Sequence, residues 1–417
     1  MTDTIYLDDF EIQDQETREI NLFRDLRRQI NHAKINSSYY ADSLKDVNSI
    51  NISDRQDLSK LPILRKNSIV ELQKQAQPFG GLLALPIENL FRIFTSPGPI
   101  YEPQGKRQDY WRLARALCAA SFNNKDIVHN SFSYHLTPAG AMLESAAHLI
   151  GCPVIPAGTG NTEQQLQIIE AVKPTAYTGV PDYLKVLLDK GKELNRDITS
   201  IEKALVSGAA LPLTLREELE SRGIKVQQCY ATAELGLISY ETNLNGNICE
   251  GMVIAEDIIV EIVRPGTGDL VSLGEVGEVV VTTLKPEYPL IRFATGDLSA
   301  ALPGLSPCGR TNMRIKGWMG RADQTTKIKG MFVSPQQVDI ISKRYPEILR
   351  SRLVVSRDGQ QDVMTLKIEC NSLNSEVLEA ISNTLTSVTK LKGNIEAVPK
   401  NSLDNDGMII DDRREMD

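Results

Sequence analysis

Ile127-Val-His-Asn130, Pro153-Val-Ile-Pro156 and Ala204-Leu-Val-Ser207 are short apolar runs, and the segments between them carry helical periodicity. Runs this short read as buried strands, and strands alternating with helices build a parallel sheet, because a parallel neighbour is reached only through a crossover. The intervening pattern is clearest from Thr162, where Leu166, Ile169 and Val172 recur on one face. Thr162 with Gln165 three residues on reads as a capping box, and Pro174 stops that helix. Upstream, Ile20, Phe23, Leu26, Ile30 and Ala33 recur between charged residues, so an amphipathic helix over 18–36 is expected to lie on a core. The fold class is therefore α/β, with mostly parallel sheets in a large amino-terminal domain.

The pattern changes further along. From Ile258 to Leu284 two alternating runs, Ile259-Val-Glu-Ile-Val263 and Glu278-Val-Val-Val-Thr-Thr283, flank the turn signal Pro265-Gly-Thr-Gly268. A small antiparallel, barrel-like subdomain is expected there. After Arg321 come short strand patterns (Arg352-Leu-Val-Val355, Val363-Met-Thr-Leu-Lys-Ile368) and a helical one from Ser375 to Leu385, which make a small α+β domain. The boundary is set at Gly320 to Asp323, dividing the chain into domains 1–320 and 321–417.

Composition narrows the class. With 417 residues, 41% hydrophobic and 24% charged, the chain is long enough for two domains with full cores. A formal net charge of −8 without a basic stripe argues against nucleic acid as a partner. No apolar run approaches the ~18 residues of a membrane helix, and the acidic start Met1 to Phe10 is unlike a signal peptide, so a cytoplasmic, membrane-free protein is expected. The six cysteines (Cys118, Cys152, Cys229, Cys249, Cys308, Cys370) lie far apart, which points to reduced thiols rather than a zinc site or a disulfide framework.

Three words in the second half carry the chemistry: Tyr230-Ala-Thr-Ala-Glu234, Ala294-Thr-Gly-Asp297 and Gly320-Arg-Ala-Asp323. With Leu61-Pro-Ile-Leu-Arg-Lys66, Pro78-Phe-Gly-Gly-Leu-Leu83, Asn130-Ser-Phe-Ser-Tyr134, Pro289-Leu-Ile-Arg292, Pro307-Cys-Gly-Arg310 and Asp406-Gly407 they form an ordered series. In it the chain resembles the phenylacetate-CoA ligase branch of the adenylate-forming superfamily, nearly end to end. The resemblance implies that a carboxylic acid is joined to ATP as an acyl-adenylate and passed to coenzyme A or another acceptor, with Mg²⁺ assisting. A small carboxy-terminal domain would rotate between the two steps. The implied cofactors are ATP or AMP, Mg²⁺ and coenzyme A; the implied partners are a small carboxylic acid and coenzyme A or an amine, with a homodimer also considered.

The same resemblance distributes roles. Tyr230 would stack on adenine, with Ala231 and Thr232 beside it, and Glu234 would ligate Mg²⁺ and serve catalysis. Ser207, Gly208 and Ala209 would bring backbone close to the adenine. Asp297 would accept from both ribose hydroxyls, which suits a carboxylate as a double acceptor. Arg321 would contact ribose and phosphate, Asp323 would be the hinge, and Tyr134 and His135 would stand at the acid pocket.

Against this series stand three departures on phosphate contacts. Where the family has a word like Ser-Ser-Gly-Thr-Thr-Gly-Lys-Pro, this chain reads Ser96-Pro-Gly-Pro-Ile-Tyr-Glu-Pro103. Three prolines lack N–H donors, and Glu102 adds negative charge. Ala233 replaces the hydroxyl residue before the glutamate, and Gly407-Met408 replaces Gly-Lys. Lys316, Lys327 and Lys329 are alternative cations, with Lys329 taken as the catalytic candidate. The alternative to a full ligase is a member that uses a preformed acyl-adenylate or thioester, or a non-catalytic nucleotide- or acyl-CoA-binding protein.

Overall fold

In a computed structural model, residues 5–414 are described except 97–98, 266, 323, 325, 330, 334, 359–360, 371–374, 401 and 404–408. The short apolar runs become Val128–Asn130, Val154–Pro156 and Lys203–Val206, and with Ala176–Gly179 and Lys225–Thr232 they pair in parallel. The helices Ala139–Leu149, Thr162–Val172, Pro181–Glu193 and Leu213–Ser221 supply the crossovers. Past Lys225–Thr232 the sheet turns antiparallel through Gly236–Leu244, Asn247–Ile254 and Arg314–Ile315. Phe293–Leu302, Val276–Thr283 and Ile258–Val263 continue it, and the short strand Leu64–Arg65 joins alongside Phe293 and Ala294. Among the described residues these make one twelve-stranded sheet, with Ile258–Val263 and Val276–Thr283 antiparallel as their alternation predicts.

The amphipathic helix runs Gln15–Asn36 and buries Leu22, Phe23, Leu26, Ile30 and Ala33. Ile20 of the expected face is exposed. The capping box at Thr162 does not form: Asn161, in a left-handed conformation, precedes the helix without a side-chain cap. The Thr162 hydroxyl meets that of Tyr183. Gln165 is buried instead, donating to the carbonyls of Gly158 and Gly160 and accepting from His129 and Ser131. A buried amide meets its hydrogen-bonding needs there more completely than at a solvated helix end.

By internal contacts the chain divides into two units, one of Met1–Thr295 and Ser299–Trp318, the other of Gly296–Leu298 and Met319–Met416. The second unit has a four-stranded sheet in the order Asn394–Val398, Gln361–Glu369, Arg350–Asp358, Ile410–Asp412. The helices Pro335–Arg344 and Ser375–Thr389 cover it, with Val338, Ile341, Leu353, Leu366, Ile381 and Leu385 in the core. No described helix is long and apolar enough to cross a membrane. All six cysteines are free, and Cys370 alone among them is not buried.

Candidate active site

Ligand sites of open α/β sheets lie beyond the carboxyl ends of the parallel strands, where loops diverge and leave a crevice. Three such ends, at Asn130, Gly179 and Val206, adjoin, and the strand Lys225–Thr232 runs on beyond Gln228, the partner of Val206. The segments leaving them carry Phe132, Ser207, Gly208 and Glu234. A cavity of about 180 Å³ opens there, lined by Leu113, Phe132, Met142 and Leu143 with Ser96, Thr137 and Thr232. Ser207, Gly208, Ala231 and Ala233 complete the wall with small side chains. Gly208 has φ +77°, a conformation that strains any residue with a Cβ.

A register shift between Tyr230 and Ala231 sets the two apart. Tyr230 is buried, and its hydroxyl donates to Thr295 Oγ1 at 3.3 Å. Ala231 and Thr232 face the cavity.

Glu234 sits on a turn clamped from below. The carbonyl of Leu235 accepts from Arg112 Nη2 at 2.6 Å and from Lys285 Nζ at 3.1 Å. Lys285 is buried with its ammonium 4.2 Å from the ring centre of Tyr110 and 4.1 Å from that of Trp111. Burial holds its pKa well below the usual lysine range. Gly236, at φ +77°, lies so close to Trp111 that a Cβ would fall 2.7 Å from the Trp111 carbonyl oxygen. The turn therefore accepts only glycine there.

The Glu234 side chain is 1% exposed and pairs through Oε1 with Lys66 Nζ at 2.5 Å. Burial raises its pKa, but the Lys66 ammonium and nearby hydrogen bonds outweigh that and leave the carboxyl below its ordinary range. Lys66 opens the helix Lys66–Gln75, directly after the strand Leu64–Arg65 that pairs with Phe293 and Ala294.

The proline-rich segment forms a hairpin, Arg92–Ser96 against Ile100–Gln104. Its inward face carries Phe94, Ser96, Ile100 and Glu102, all buried. Ser96 Oγ donates to Glu102 Oε1 at 2.9 Å. Burial, and then the charge of Glu234, push the Glu102 carboxyl well above its ordinary pKa.

In the second unit Asp297 and Arg321 meet: Nη1 lies 2.9 Å from Oδ1, and the two residues form a β-bridge. A Cβ on Gly296 would fall 2.6 Å from Arg321 Nη2. Lys329 is exposed, and its backbone N–H donates to Asp362 at 3.0 Å. Tyr134 and His135 do not line the cavity: the Tyr134 hydroxyl accepts from Asn130 Nδ2 at 2.7 Å, and His135 is exposed. Ala209 lies outside the lining as well. Asp323, Gly407 and Met408 lie outside the described residues, as do Pro97 and Gly98.

Sequence reasoning passed over Lys66, Arg112, Lys285 and the apolar wall of Leu113, Phe132, Met142 and Leu143. Lys66 and Phe132 had a local signal, inside the words Leu61-Pro-Ile-Leu-Arg-Lys66 and Asn130-Ser-Phe-Ser-Tyr134. The others act through contacts between distant segments.

A family model of AMP-binding enzymes matches residues 112–284. The chain is 31% identical over 371 residues to the phenylacetate-coenzyme A ligase of Aromatoleum evansii, covering 85% of this chain and 82% of that one. The Thermus thermophilus phenylacetate-coenzyme A ligase is 30% identical over 348 residues, 78% of this chain and 77% of its own. Among solved structures, 2-hydroxyisobutyryl-CoA ligase with 2-HIB-AMP and CoA in the thioesterification state superposes with TM-score 0.78 at 21% identity, covering 100% of this chain and 96% of that one. An open conformation of the same ligase gives 0.70 over 96% and 92%. At these identities the structural likeness speaks for the fold.

Proposed function

We infer how the reaction is carried from one premise: this chain belongs to the phenylacetate-CoA ligase branch of the AMP-binding, adenylate-forming enzymes. It is an acid–CoA ligase, with ATP and coenzyme A as its co-substrates. The acid is a small, largely apolar carboxylic acid. What carries this reading is the 180 Å³ cavity, in which Ala231 and Thr232 of one word and Ser207 and Gly208 of another meet the apolar side chains Leu113, Phe132, Met142 and Leu143. Such a wall excludes water from the acid and orients it, which supports attack of its carboxylate on the α-phosphate.

Thr232 places a hydroxyl at the polar part of that wall, and the Ser207 hydroxyl donates to the Cys229 carbonyl at 2.8 Å. Tyr230 serves the adenine, while Asp297 accepts from the ribose hydroxyls and Arg321 holds Asp297 in place. Glu234 is the residue that would hold Mg²⁺, because its Oε2 is buried without a hydrogen-bond partner among the described residues and is a hard oxygen donor. When bound, the cation neutralises phosphate charge that develops as pyrophosphate leaves. A second reading concerns the first half-reaction alone: the hairpin ties Ser96 to Ile100 and Phe94 to Glu102 where a mobile phosphate loop is expected. That favours slow adenylation, with transfer from a preformed acyl-adenylate intact.

The deciding assay is pyrophosphate release with hydroxamate trapping across a panel of small apolar acids. Turnover is expected with at least one acid. Neither turnover nor transfer from a synthetic acyl-adenylate, together with no AMP binding by calorimetry, would remove the ligase reading. Asp297→Ala should weaken AMP by about 1–3 kcal/mol, since ribose hydroxyls lose a charged acceptor. Phe132→Ala should lower kcat/KM for the acid by about 10–100-fold, mostly through KM, with the KM for ATP unchanged.

A further inference from the structure

Ser96 and Ala233 line the same cavity, and each leads to a buried carboxylate. Ser96 donates to Glu102 Oε1, and Ala233 precedes Glu234. Hairpin register puts Phe94 opposite Glu102 and Ser96 opposite Ile100, so Glu102 is directed inward with Ser96. Glu102 has no exposed surface, and its Oε2 has no hydrogen-bond partner among the described residues. Glu234 Oε2 is in the same condition. The charge of Glu234 acts on Glu102, and burial first, with the charges of Glu102 and Glu234 behind it, raises the phenol pKa of Tyr288.

Two neighbouring buried carboxylates with unpartnered oxygens are unfavourable unless a cation stands between them. Lys66 answers only part of that need. It pairs with Glu234 Oε1, and its side chain is 35% exposed, so it sits at the edge of the site. The ammonium of Lys285 is directed to the Leu235 carbonyl and two aromatic rings. Lys66 and Lys285 both act on Glu102 through space, yet each carboxyl keeps an Oε2 without a hydrogen-bond partner among the described residues, and such hard oxygens are what Mg²⁺ takes with one or two carboxylates, water and substrate phosphates.

We propose that Glu102 is a second carboxylate ligand of the divalent cation at Glu234, so that the hairpin replacing the phosphate loop contributes a metal ligand instead of N–H donors. Glu102 then acts on the phosphates through the cation. The inference rests on the reading of Glu234 as a metal ligand given above.

Mn²⁺ is the probe, added without nucleotide to the full chain, with uptake followed by loss of the free-Mn²⁺ electron paramagnetic resonance signal. The wild type is expected to take up one Mn²⁺, and Glu102→Gln and Glu234→Gln each to weaken uptake at least tenfold. Wild-type affinity in Glu102→Gln overturns the proposal, as does absence of uptake by the wild type. Should Glu102→Gln fail to fold, Glu102→Asp decides: its shorter stem withdraws the carboxylate, so weakened uptake supports the assignment and unchanged uptake overturns it. AMP calorimetry on the same proteins separates the two levels. Failure of the Mn²⁺ result with AMP binding intact removes Glu102 as a ligand and leaves the ligase reading standing.

Discussion

Glu234→Gln is expected to slow adenylation by about 10²–10³-fold, equivalent to roughly 3–4 kcal/mol of barrier. The amide keeps the shape of the side chain but removes the charge that pairs with Lys66 and that would draw a cation to the cavity wall. Folding should survive, because the turn is held by Arg112 and Lys285 on the Leu235 carbonyl and by the Gly236–Trp111 approach, none of which involves the carboxyl. The measurement is pyrophosphate release at saturating ATP and acid, alongside thioester formation from a synthetic acyl-adenylate. Adenylation should fall and transfer should not. Pyrophosphate release within threefold of the wild type would mean that another residue carries this role.

The second large effect is on stability. Arg292 is 2% exposed and donates to Glu261 Oε2 at 3.1 Å and to the carbonyls of Ser59, Leu61 and Gly268 at 2.5, 2.6 and 2.9 Å. Arg292→Met fills similar volume but leaves Glu261 buried without its cation and three carbonyls without their donor. Removing one partner of a buried pair costs about 3–5 kcal/mol. The urea midpoint of the first unit should fall accordingly, and Glu261→Gln on top of Arg292→Met should recover part of the loss because no bare carboxylate remains. A midpoint shift of less than about 1 kcal/mol equivalent would show that water reaches Glu261 in the variant.

The residues that the sequence put forward come together in part. Ala231, Thr232, Ser207 and Gly208 were singled out by word and spacing, and they line one cavity. Asp297 and Arg321, singled out likewise, form an ion pair. The resemblance put Tyr134 and His135 at the acid pocket; in the fold the Tyr134 hydroxyl bonds Asn130 and His135 faces solvent. Phe132, two residues earlier, lines the cavity instead. Adjacent residues leave a loop in different directions, and which of them points inward depends on elements they pack against.

Although the earlier turn to antiparallel pairing at Gly236 was not read from it, the amino-acid sequence by itself determined the alternation of strands and helices, the antiparallel pair of Ile258–Val263 with Val276–Thr283 and the α+β character of the last hundred or so residues. These are local matters, because burial of every second or every third to fourth side chain is written in adjacent residues. It also determined the order of the active-site words. Only the tertiary structure decided that Gly296–Leu298 belongs with the second unit. Only there do Lys66 and Glu234 become one ion pair, and only there is Glu102, which in sequence reads as added negative charge at the phosphate segment, a fully buried carboxyl bonded to Ser96. Electrostatic partnership acts through space and low dielectric, so it joins residues that no local pattern relates.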